Sequence, residues 1–323
     1  LKITLNWVNR NTDEDNTRVF RETAPFTSTE GLTPIATLPQ AANTYDDETV
    51  VKGQLYYYRL EVVKGTDKYL GNQVAIMALA YSGPGPQELS KGDYERGYFG
   101  EVTYDKLLSG DELALRVGIS VGNSVNALTN WLKFAHKGKI LFIPKVPIRT
   151  TLSYNNLYAA GLVYGVDDVG AVVPNNQAAV NQKKLVEIEG DQFLVRLMTG
   201  AASNPAVYTS VGANADATGL DGSEWNDLML SLTNTVPASQ TWGNFLNLPD
   251  IDLLGTAAMI TLCQEATPSA GTSIARGAYR SATELYPAAV AALNTSVATS
   301  NVSIAGTSVT RQYSWRPVLE FQP

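Results

Sequence analysis

The sequence predicts a mainly β protein, a β-sandwich over residues 1–82 followed by an α+β domain over 93–323. Three observations carry this. Short runs before residue 82 alternate apolar and polar side chains with no helical period. Ser82-Gly83-Pro84-Gly85-Pro86 then breaks the pattern with residues that bend the chain or deny it a backbone donor. After residue 93, apolar strand-like runs alternate with capped helical patterns. Residues 83–92 are accordingly read as a Gly/Pro linker, a short semi-rigid spacer.

Ile3, Leu5 and Trp7 alternate with Lys2, Thr4 and Asn6, so a half-buried strand is under way at the first residue. The natural product is therefore expected to be longer, or processed, upstream of Leu1. Thr17–Arg21 is a second run, and Asn43–Asp47 leads into a third. Tyr56, Tyr58, Leu60 and Val62 alternate with Tyr57, Arg59, Glu61 and Val63 in a fourth, and Val74–Ala80 follows the Gly71-Asn72 turn as a fifth. Short strands at this spacing are the pattern of a sandwich.

In the second part, Ser109-Gly110-Asp111-Glu112 before Leu113, Leu115 and Val117 marks a capped helix start. Trp131–Ala135 and Ile140–Pro144 flank His136-Lys137-Gly138-Lys139, which predicts a β-hairpin with a basic, solvated turn. Ser153 is placed to cap a short helix carrying Leu157 and Tyr158, with Gly161 as its C-cap. Ser223 caps a helix from Glu224 to Leu232, in which Trp225, Leu228, Met229 and Leu232 form one buried face. Gln192–Leu197, Met259–Cys263 and Trp315–Phe321 read as strands, with Pro317 placing the last at a sheet edge or turning its missing donor outward. Between them lie the Ala/Ser/Thr/Asn/Gly-rich stretches 201–222, 233–249 and 266–312, the composition of variable surface loops.

Composition narrows the function. Charged residues are 17% of 323, against an ordinary figure of about 25%. The net charge of -7 and scattered basic residues argue against nucleic acid, which requires clustered Lys and Arg. One Cys and one His exclude an intrachain disulfide and a His/Cys metal cage. No apolar run of about 18 residues is present, so no membrane insertion is expected.

Two resemblances add to this reading. Leu5-Asn6-Trp7, then Tyr45-Asp46-Asp47, Val50, Gly53, Tyr56–Leu60 and Val62-Val63, resemble the fibronectin type III family over residues 1–82. The resemblance implies that Tyr56 ties down a strand corner through its hydroxyl and that Trp7, Tyr58 and Leu60 are core. The family's first strand is missing, and is expected upstream of Leu1 or from a partner chain. Ile148–Tyr158, Ser223–Leu228, Arg276-Gly277 and Trp315–Leu319 are similar to the formylglycine-generating and sulfatase-modifying group, which implies a C-type-lectin-like fold. Residues 131–145 and Trp315–Phe321 also look like tailed-bacteriophage virion proteins.

The enzymes of the sulfatase-modifying group use paired thiolates or histidine-held metal. Cys263 and His136 stand alone, so no catalytic residue, cofactor or metal is assigned. Cys263 reads as a small buried hydrophobe, and His136 as part of the solvated turn, with an anion or glycan contact as its rival. Glu187, Glu189 and Asp191 read as a solvated strand edge, and Asp167-Asp168 and Asp250/Asp252 as solvated loops rather than calcium sites. The expected function is a non-enzymatic virion structural protein of the head, collar, tail or fibre. It would lie on the particle surface in several copies, bound to other virion proteins and able to contact host-surface glycan or protein. Tyr208, Trp242, Phe245, Tyr279 and Tyr286, on the polar stretches, are the candidate contact residues. The alternatives are a bacterial cell-surface adhesin and a carbohydrate-active enzyme.

Overall fold

A computed structural model describes residues 1–10, 13–200, 222–229, 232, 261–266, 272–276, 302–303 and 314–323. These form a mainly β protein with several antiparallel sheets.

The first part runs β1 (Ile3–Asn6), β2 (Asn16–Glu22), β3 (Ala36–Pro39), β4 (Thr44–Asp47), β5 (Leu55–Lys64), β6 (Asp67–Leu70) and β7 (Val74–Met77). β1 pairs with β4, with Ile3 opposite Asp47 and Leu5 opposite Tyr45. The second sheet is ordered β3-β2-β5-β6, and β7 also pairs with β5. Alternation turns Ile3 and Leu5 inward, where they join Val19, Tyr56, Tyr58 and Ala78 in one apolar cluster. Trp7 and Leu60 are half-buried against that cluster rather than within it. At the strand corner the Val51 N–H donates to the Tyr56 hydroxyl at 3.0 Å. The Tyr58 hydroxyl donates to the buried Asp47 carboxylate at 2.9 Å, and Arg21 completes that site at 2.7 Å.

The remainder runs β8 (Lys91–Gly92), β9 (Arg96–Val102), α1 (Gly110–Val117), β10 (Asn123–Ser124), β11 (Trp131–His136), β12 (Lys139–Pro144), β13 (Arg149–Thr150), α2 (Tyr154–Ala159), β14 (Lys184–Ile188), β15 (Asp191–Arg196), a π-helical turn over Trp225–Met229, β16 (Thr261–Ala266), β17 (Thr272–Arg276), β18 (Val302–Ser303) and β19 (Val318–Gln322). A seven-stranded antiparallel sheet, ordered β14-β15-β19-β12-β11-β9-β8, organises it. One face carries Phe99, Trp131, Phe142, Phe193 and Phe321 and packs on Leu113 of α1 and Leu157 and Tyr158 of α2. The other carries Tyr98, Leu132, Phe134, Leu141, Ile143 and Val318 beneath Trp225, Leu228, Met229 and Leu232.

Both helix caps form. The Ser109 side chain accepts from Glu112 N–H, and Ser153 and Asn156 make a reciprocal capping box. The second helix is capped by Ala160, one residue before the expected Gly161, which follows at φ +76°. The 131–144 hairpin forms with Lys137 and Gly138 at its turn, both at positive φ.

Of the two placements open to the last strand, the second holds: β19 is interior, and Pro317 precedes it so that its missing donor falls outside the ladder that β19 makes with β15 and β12. The expected helix from Glu224 to Leu232 is instead a π-helical turn over Trp225–Met229, buried on all sides rather than on one face, with its one acid, Asp227, hydrogen-bonded to His136. Residues 82–86 pack against the large sheet. Ser82 is 2% exposed, and its hydroxyl and the Gly83 and Pro86 carbonyls bond Lys133 of β11. The sandwich also touches the large sheet directly. Tyr94 N–H donates to Ala75 O, Ala75 N–H to Asp93, and Tyr57 hydroxyl to Glu95.

Candidate functional site: the platform beneath the polar segments

Tyr208, Trp242, Phe245, Tyr279 and Tyr286 lie outside the described residues, as do Asp250 and Asp252. What is described is the surface their segments leave and rejoin. Met198–Gly200 and Gly222–Met229 bound the 201–221 segment, and Leu232 and Thr261 bound 233–260.

The two ends of the 201–221 segment are tied together. Trp225 N–H donates to Thr199 O at 3.0 Å, Glu224 N–H donates to the Thr199 hydroxyl, and Thr199 N–H donates to the Glu224 carboxylate. Glu224 also takes two bonds from the Arg196 guanidinium, at 2.8 and 2.5 Å. Arg196 reaches it because alternation along β15 puts Phe193 and Val195 on the helix-covered face and Arg196 on the other. The Arg196 Nε donates to Glu320 of β19, to which Lys139 of β12 also donates. Nearby, Gly200 N–H donates to the buried Glu265 carboxylate.

His136 is buried and paired. Its Nε2 lies 3.0 Å from Asp227 Oδ2, and Asp227 also accepts from Gly222 N–H. This corrects the expected solvated turn, because His136 is the last residue of β11 and points under the π turn while Lys137 and Gly138 make the bend. Lys137 Nζ donates to Gly222 O at 2.7 Å.

The electrostatics are those of compensated ions. Burial alone would raise the Glu224 carboxyl, but the Arg196 guanidinium outweighs it and brings it to about 2. Burial likewise opposes ionisation of Asp227 and Glu320, yet His136 and Arg196 respectively hold both below the usual carboxylate range. Burial works against the Arg196 charge, and Glu224 and Glu320 hold its pKa above the ordinary arginine value. These groups seat the π turn on the sheet. Chemically the arrangement positions backbone; its carboxylates are held ionised by their partners.

The remaining candidates are placed plainly. Cys263 is a buried cysteine in the apolar cluster beneath the π turn, as expected. Glu187 and Glu189 are exposed, while Asp191 is half-buried and accepts from the Tyr81 hydroxyl at 2.8 Å. Asp167 and Asp168 are exposed, with Asp167 bound to Asn181 and Lys183. Among the described residues no group of three or more His, Cys, Asp or Glu is placed to hold a metal ion, and no helix is long and apolar enough to cross a membrane. Sequence reasoning missed Arg196, Glu224 and Glu320. The signal open to it was a single charge inside an apolar run, as in Phe193-Leu194-Val195-Arg196-Leu197. No family model, no curated protein and no solved structure matches the chain.

Proposed function

We propose that the chain is a non-enzymatic structural protein of a tailed-bacteriophage particle. It sits in several copies on the surface of the head, collar or tail, bound to other virion proteins, and offers polar aromatic-bearing segments to those proteins or to host-surface glycan. The observation that carries this is the tie between Arg196, Thr199 and Glu224, which pins both ends of the 201–221 segment to a rigid sheet. A fixed neck under a long polar segment is what a display scaffold requires, since pre-ordering its base lowers the entropy cost of binding. Tyr208, Trp242, Phe245, Tyr279 and Tyr286 supply apolar surface for stacking on sugar or protein. The only His and the only Cys in the sequence are both buried, which favours binding over catalysis.

The finer fold belongs to the same proposal. The corner bond from Val51 to Tyr56, and the pairings β1-β4 and β3-β2-β5-β7, support a fibronectin type III-like sandwich. The Ser153 and Ser223 caps, with two-sided packing of an antiparallel sheet, support a C-type-lectin-like domain.

Mass spectrometry of purified particles from the phage whose genome encodes this chain tests the reading. The chain is expected in the particle at a fixed copy number, labelled at the surface by antibody against residues 93–323. Its absence from washed particles overturns the proposal.

A further inference from the structure

The segment Tyr81–Pro86 crosses the large sheet strand by strand. The Tyr81 hydroxyl donates to Asp191 at the start of β15, and its ring stands edge-on to Phe321 of β19 at 5.8 Å. Gly83 lies so close to β12 that an added Cβ would come within 3.1 Å of Phe142, and Gly85 so close to β9 that one would come within 2.4 Å of Val102. The Gln87 side chain closes the segment on itself, accepting from Ser82 and donating to the Gly83 and Gly85 carbonyls. It is a strap, and it is the covalent route from the sandwich to β8.

Beneath its middle lies Lys133, 0% exposed. Its Nζ lies 2.8 Å from Ser82 Oγ, 3.1 Å from Gly83 O and 2.6 Å from Pro86 O. The facing residues of β9 and β12 are Phe99 and Phe142, with ring centres 4.8 and 5.6 Å away. All three partner groups are neutral. Among the described residues, the charge that acts on the ammonium is Asp191 of β15, whose carboxylate already takes the Tyr81 hydroxyl. Tyr81 itself is held up to about 12 by burial and by Asp191, so it stays protonated through neutral pH. The uncharged amine can donate to the Gly83 and Pro86 carbonyls and accept from the Ser82 hydroxyl, whereas the ammonium sits here with no carboxylate among the described residues bonded to it.

We infer that this strap is an acid-opened latch, closed over Lys133 in its uncharged form and lifted from the sheet when Lys133 takes up a proton. Burying an ion without a counter-ion costs several kcal/mol, on the order of the stability of a local element. Burial pushes the Lys133 ammonium down to about 7 from an ordinary 10.5. A lifted strap returns Lys133 to water and to its ordinary proton affinity. The closed strap is therefore most favoured above about 10.5 and loses ground as pH falls toward about 7. Lifting frees residues 82–87 as slack between the sandwich and the sheet. The inference does not depend on the particle proposal.

Hydrogen–deuterium exchange of the full chain, corrected for intrinsic rates and followed on peptides covering 82–87, tests it at pH 6 and pH 9. The wild type is expected to lose at least about tenfold in strap protection at pH 6, with β11 and β12 unchanged. Lys133→Met, which keeps the bulk and removes the charge, is expected to hold the strap closed at both pH values. Equal strap protection at the two pH values in the wild type overturns the latch, and so does a wild-type-like loss in Lys133→Met. NMR of the Lys133 side-chain carbon in the wild type serves where the variant does not fold. Titration near 7 supports the latch, and titration above 10 overturns it.

Discussion

Arg196 and Glu224 meet in a two-point ion pair, both groups buried, although 27 residues of mostly uncharged sequence separate them. The pair joins a strand of the large sheet to the far end of the 201–221 segment. It converts a sequence-distant contact into a local closure.

Removing one member should be costly. Glu224→Gln is expected to destabilise the chain by roughly 3 kcal/mol or more, because Arg196 then keeps a buried charge with only Glu320 to balance it. Urea unfolding monitored by Trp fluorescence measures this. The double variant Arg196→Met/Glu224→Leu should recover only part of the loss, since Glu320 keeps Lys139 as a partner but loses Arg196, and the Thr199 N–H loses its acceptor.

Acid should act through the same carboxylates. Glu224, Asp227 and Glu320 are all shifted below their ordinary values, so each contributes stability that is present above its unfolded pKa. For Glu224 that contribution is complete above about 4.5 and disappears as pH falls toward 2. The melting temperature should therefore drop steeply below pH 4.5, and the slope should be shallower in Glu224→Gln.

The sandwich makes its own test. Tyr56→Phe removes the acceptor for Val51 N–H and should cost about 1 kcal/mol. Tyr58→Phe should cost more, about 1.5–3 kcal/mol, because the Tyr58 hydroxyl bonds a fully buried, ionised Asp47. Denaturant curves on both variants, compared for order as well as size, check the difference.

Two glycines separate backbone strain from collision. Gly190 has φ +90° with open space around its missing side chain, so Gly190→Ala should cost about 1 kcal/mol of strain. Gly92 has φ +72°, and a Cβ there would lie 2.0 Å from the Arg96 carbonyl oxygen. Gly92→Ala should be several times more damaging and should loosen β8, seen as faster amide exchange in the peptide carrying Ser90, whose N–H bonds Tyr98 O beside that strand.

Much of the backbone was legible in the sequence because local chemistry writes it. Ser109 and Ser153 cap as their spacing requires, and the 131–144 hairpin follows from two apolar runs around Lys137-Gly138. β3 and β6 were not legible. Neither Ala36–Pro39 nor Asp67–Leu70 contains a buried residue to carry an alternating pattern. The site was the least legible part. His136, Lys133 and Arg196 are ordinary charged letters until the fold supplies Asp227, the strap carbonyls and Glu224, each at least 28 positions away in the chain. Pro317 left two placements open for a related reason, since its effect on the ladder depends on where β19 starts.

The interior position of β19 has a kinetic consequence. Glu320 bonds Lys139 across 181 positions and Arg196 across 124, so the central ladders of the large sheet are among the most distant pairings in the chain. Such contacts are slow to find, because a long loop must close before it is rewarded. While the chain is being synthesised, β12 and β15 have complementary edges and nothing between them. Premature pairing of those edges, within one chain or between neighbouring nascent chains, would have to be undone before β19 could enter.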